Sequence, residues 1–127
     1  MQKIENYRKA LLQLEQAVAA YTAAPEDALY RDGLIQRFEF TVELAWKSLK
    51  EYLEDQGMIV GLASPKGVLK EAFAAGIIQE AGWNDILTAR NLTSHVYDEE
   101  TAKRIAQQIC NDFLSPLRNL LQFYNLP

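Results

Sequence analysis

The chain has 127 residues, 49% of them apolar, which is the length of one domain with material for a sizeable core. Seventeen acidic against thirteen basic residues give a net charge of −4, which argues against a broad electrostatic grip on nucleic acid but not against a local basic spot. A single cysteine, Cys110, excludes an internal disulfide framework and a cysteine-based zinc site, and no apolar run approaches the roughly 18 residues of a membrane span.

The N-terminal residues Met1 to Lys9 carry no apolar core of a secretory signal, so a reducing cytoplasm is the expected compartment. Ile4, Tyr7, Leu11, Leu14, Val18 and Tyr21 recur at a spacing of three to four, which predicts a first helix over about residues 2–22. Pro25 disfavours helix in the residue before it and ends the element. A second helix is expected from somewhere in 26–32 to about Gln56, with Ile35, Phe38, Val42, Ala45, Leu49 and Leu53 as one stripe. Phe40 and Leu44 fall on another face, so this helix should be central in its bundle or face another subunit. Gly57 supplies its stop.

Ser64-Pro65 predicts the cap and first turn of a short third helix, and Gly76 its end. A fourth helix is expected from near Gly82 to about Tyr97. Asp98 is placed to cap a fifth, with Glu99 and Glu100 in the favourable first turn. In that last helix Ile105, Ile109, Phe113, Leu117, Leu120 and Tyr124 form a stripe. Pro116 within it should bend or break the helix by removing the bond to Asp112. No stretch alternates like a strand, and there is no repeat or dividing linker. The expected architecture is all-α, an antiparallel up-and-down bundle of four to five helices in one domain over residues 1–127.

Chemistry concentrates in Ala89-Arg90-Asn91-Leu92-Thr93-Ser94-His95-Val96-Tyr97-Asp98, which holds the only histidine. At about 100° per residue Asn91 shares a helix face with His95, and Arg90 with Ser94; Arg90 and His95 lie about 140° apart and can border one groove. The bland reading is a polar helix end followed by a cap, and an Arg five residues before a lone His is by itself a weak signal.

Arg90-Asn91-x-x-x-His95-x-Tyr97 resembles the R-x-x-x-x-H-x-Y motif of HEPN-domain proteins, in particular the HepT branch, also known as nucleotidyltransferase substrate-binding proteins. The run Phe38-Glu39-Phe40-Thr41-Val42-Glu43-Leu44-Ala45-Trp46-Lys47-Ser48-Leu49-Lys50 is similar to the same family. So is Ala75-Gly76-Ile77-Ile78, followed by Trp83. The likeness covers nearly the full chain and shows no departure at the motif. It implies a homodimeric helical bundle and a minimal nucleotidyltransferase of the MntA kind as partner. It implies a metal-independent ribonuclease toxin that needs no cofactor, with Arg90 and His95 in the catalytic positions. Tyr97 becomes the hydroxyl that the partner adenylylates.

RNA cleavage by its own 2′-hydroxyl needs a proton acceptor, a proton donor and a positive group for the phosphorane. Imidazole serves either proton role, and a guanidinium fork fits phosphate oxygens. One chain holds one histidine, so two copies of the fourth helix are expected to meet across a two-fold axis. Asn91 would orient His95 or the ribose, with Ser94 on the Arg90 side of the same groove. Glu39 and Glu43 share a face of the second helix; a solvated face, with Glu43 paired to Lys47, outweighs catalysis by them. A supporting contact from Glu43 to Arg90 is the more plausible role. Trp46 and Trp83 read as packing residues before base-stacking ones, and Cys110 as a small hydrophobe.

Two other functions compete. The groove could bind nucleotide or substrate for a nucleotidyltransferase without catalysis, or the chain could be a plain dimerisation module. It lacks the G-S…D-x-D pattern of the transferase itself.

Overall fold

The computed structural model describes residues 2–58, 64–95 and 98–125. Helix α1 spans Gln2–Ala23, α2 Ala28–Asp55, α3 Pro65–Ala74 and α4 Glu80–Thr93. Helix α5, Glu99–Gln108, runs through a π-helical turn at Ile109–Phe113 into α6, Leu114–Asn125. The architecture is the expected all-α up-and-down bundle, with no strand among the described residues. No helix there is long and apolar enough to cross a membrane.

Several helix ends are set by local chemistry. The Asp27 carboxylate accepts from the backbone N–H groups of Leu29 and Tyr30 at the start of α2. Ser64 accepts from Gly67 N–H with Pro65 in the first turn of α3, and Asp98 accepts from Thr101 N–H at the start of α5. The backbone and hydroxyl donors of Thr101 favour the ionised Asp98 and hold its carboxyl below the usual range. Gly57 and Gly76 sit at φ +82° and +76°. Met58 N–H reaches Leu53 O after α2, and Ile77 N–H reaches Ala72 O after α3. Both are Schellman closures that need a residue in the left-handed region.

Helices α1 and α2 run antiparallel: Arg37 donates to Gln13 O, and the Thr41 hydroxyl lies 3.3 Å from Ala10 O. Helix α6 returns along α1, where Arg118 pairs with Glu15 and Arg8 donates to Asn125. The core between them holds Tyr7, Leu11, Leu14, Phe38, Val42, Leu49, Phe113 and Leu117. The Phe38 and Phe113 rings stack at 5.5 Å. Tyr7 is fully buried and donates to Leu117 O at 2.7 Å. Burial pushes its phenol well above the ordinary value.

Three details differ from the expectation. Helix α4 stops at Thr93, before Tyr97, which lies outside the described residues along with Val96. Pro116 does not break the last helix; the chain forms a π-helical turn just upstream and continues. Prolines and π turns are both known sites of disturbance in the i→i−4 ladder, and here they are adjacent. The α2 stripe is also less apolar than its spacing suggested. Arg31, Thr41 and Ser48 are buried on it and Ile35 is only half-buried; Phe40, on the other face, is exposed. Ser48 satisfies itself on Ala45 O and on the Tyr124 hydroxyl, 2.8 Å away.

Candidate functional site

A groove of about 350 Å³ runs between the end of α4 and the middle of α2. Arg90, Asn91, Ser94 and His95 line one wall, and Val42, Glu43 and Trp46 the other. Helix α4 buries Trp83, Ile86 and Ala89 in the core, which leaves the following polar residues at the rim. Asn91, Ser94 and His95 are exposed and Arg90 is half-buried. His95 follows the helix in a turn closed by its own N–H to Leu92 O at 2.9 Å.

The Arg90 guanidinium is held from α2. Its Nη1 lies 3.3 Å from Glu39 Oε2 and 3.4 Å from the Thr93 hydroxyl. That hydroxyl is 3.0 Å from Glu39 Oε2 and 2.7 Å from Arg90 O, so its single proton is shared between two acceptors. Arg90 Nε is buried and unpartnered, so the fork is only partly committed. The expected contact from Glu43 to Arg90 is not made. Glu43 lines the groove and pairs with Lys47 at 3.3 Å, while Glu39, one turn before it, takes the arginine. Spacing along α2 treats the two carboxylates alike; the register of α2 against α4 separates them. Thr93, three residues after Arg90, is the one sequence signal that a network was present.

Trp83 is buried, in keeping with a packing role. Trp46 is half-buried, packs on the core and also borders the groove. Cys110 is half-buried beside the core, and burial pushes its thiol up, away from nucleophilic character.

The model of the family described as nucleotidyltransferase substrate binding protein like matches residues 2–125. This chain belongs to that family. A curated HepT-like relative, the probable ribonuclease HepT of Haemophilus influenzae, is 37% identical over 94 residues. That match covers 71% of this chain and 64% of the relative's length. A solved structure from Haemophilus influenzae superposes with a TM-score of 0.83 at 31% identity. It covers 97% of this chain and 99% of its own, and is described as showing the fold of a substrate binding domain of a nucleotidyltransferase. The relatives of this HepT-like sequence thus carry both a ribonuclease name and a substrate-binding name.

Proposed function

We propose that the chain is a HepT-type endoribonuclease that acts as a homodimer and is silenced by a partner nucleotidyltransferase through adenylylation of Tyr97. One observation carries it. The only histidine and an arginine restrained by Glu39 and Thr93 line the same open groove, beside Asn91 and Ser94. These are the residue types that metal-independent RNA cleavage requires.

In this reading two protomers place two His95 and two Arg90 around one phosphodiester. One imidazole takes the proton of the 2′-hydroxyl as its oxygen forms a bond to phosphorus. The other gives a proton to the departing 5′-oxygen as that bond breaks. The guanidinium donors bear the charge on the non-bridging oxygens. Glu39 is a positioning residue: it fixes Arg90 without touching RNA. The expected result is cleavage of RNA by the chain purified alone, in the presence of chelator. RNA left intact by chain that is folded and dimeric would sink the ribonuclease claim.

The second reading is a non-catalytic subunit whose groove holds nucleotide or substrate for the transferase, and the substrate-binding description of the solved relative favours it. Uncleaved RNA together with nucleotide binding in the groove is its signature. The silencing step has its own test. Incubation with the partner and ATP should form a bond from the Tyr97 oxygen to the α-phosphorus with release of pyrophosphate, read by mass spectrometry as one added adenylate on Tyr97. The adduct adds bulk and negative phosphate seven residues along the chain from Arg90, a charge that repels RNA. Adenylate found only on other residues would remove this part of the proposal.

A further inference from the structure

A second depression, of about 500 Å³, lies between α3 and α4 and abuts the Arg90–His95 groove; Leu87 and Asn91 line both. Its volume is that of a small-molecule cleft. The α3 wall presents Lys66 and Lys70, one helical turn apart and both exposed, with neither ammonium in a salt bridge to any described carboxylate. Phe73, three residues on, also lines the cleft and is 44% exposed. The α4 wall offers Asn84, Thr88 and Asn91. Glu80 is the one carboxylate on the lining.

We infer that this cleft is a subsite for the single strand flanking the scissile linkage, with Lys66 and Lys70 on successive phosphates and Phe73 stacked on a base. The inference rests on the ribonuclease reading. It also answers the difficulty raised by the net charge of −4, because a chain without broad positive charge must capture RNA locally. Two unpaired cations at a one-turn spacing, about 5.4 Å along the helix, suit the repeat of a backbone. An exposed aromatic beside cations is the standard platform for unstacked bases, which a duplex does not supply. Asn91 stands where the two cavities meet, so a strand crossing it passes directly from the subsite to His95.

The test measures binding of a fluorescent single-stranded RNA by anisotropy to His95→Ala protein, which leaves the probe uncut, across a series of salt concentrations. Adding Lys66→Ala and Lys70→Ala together should weaken binding and flatten the log–log salt slope by about 1.4, or 0.7 for each single-strand phosphate that is no longer neutralised. Phe73→Ala should weaken binding about tenfold and leave the slope in place. A hairpin of the same length should bind less tightly than the single strand. All three lining residues are exposed, so folding is preserved, and size-exclusion chromatography checks the oligomeric state. Unchanged affinity and slope in these variants, with the His95→Ala parent still binding RNA, overturns the subsite alone. A changed oligomeric state in the Phe73 variant would assign the cleft to contact between copies and also overturn it. No RNA binding by the parent, and no cleavage by the native chain, overturns the subsite and the ribonuclease reading together.

Discussion

His95→Ala is expected to slow RNA cleavage about 10³-fold, within the range that a lost general acid or base costs. The imidazole is exposed at the groove rim in a turn closed by backbone, so truncation removes chemistry without opening a cavity. The melting temperature should therefore stay within about 1–2 °C of the native value, as for most surface changes. Arg90→Ala should cost a comparable factor by removing the positive donors, and it also leaves Glu39 without its partner. The mixture is the sharper measurement. If sister protomers share one site, subunits carrying His95→Ala and Arg90→Ala should together cleave RNA above either parent but below the native dimer. A heterodimer keeps one imidazole for one of the two proton transfers and one guanidinium, whereas each parent has lost both copies of one group. Heterodimers that form and stay inactive would remove the shared site. Full activity in His95→Ala homodimers would remove His95 from the chemistry altogether.

Phe38→Ala should destabilise the fold by about 3–5 kcal/mol, the usual range for removing a buried aromatic ring. Phe38 is fully buried and stacks on Phe113, next to the π-helical turn that carries the chain past Pro116. Removing the ring leaves a cavity between α2 and the last helix, and the π turn loses the ring its last residue, Phe113, stacks on. Against a typical total of about 5–15 kcal/mol, such a loss brings a small domain close to unfolding at room temperature. Urea denaturation at one fixed protein concentration is the measurement, because any association between copies would make stability depend on concentration. Phe38→Leu should cost markedly less, since most of the volume stays filled. A loss below about 1 kcal/mol for Phe38→Ala would mean that the stacked pair is not central to the core.

Most of the fold was legible because its signals are local. The caps at Ser64 and Asp98 and the closures at Gly57 and Gly76 need only a side chain and the nearest turn of backbone. The spacing of Tyr7, Leu11 and Leu14 gives the buried face of α1 from its own periodicity. The candidate site was legible to a similar depth. Arg90, Asn91, Ser94 and His95 lie within six positions, at the end of α4 and in the turn that follows it, so local geometry brings them to one groove.

What lay beyond reach depends on how helices meet. Pro116 announces a disturbance, but whether the helix breaks or widens depends on whether Phe113, at the end of the turn, and Leu117, beyond it, stay in the core, and both do. Phe40 lies on the second apolar face that spacing suggested would pack, yet it is exposed, while the polar Thr41 and Ser48 bond toward α1 and α6 on the buried side. Glu39 and Glu43 are equivalent on a wheel, and only the register of α2 against α4 gives Arg90 to the first. The cleft beside α3 is likewise a product of two elements, with its lysines and its asparagines far apart in sequence. Sequence alone therefore determined which segments are helical, where most of them end and which short stretch is chemically unusual, since backbone bonding and amphipathic spacing act within a few residues. The tertiary structure decided which carboxylate restrains Arg90, how the last helix passes Pro116 and what surface adjoins the groove, since each depends on one helix being fixed in register against another.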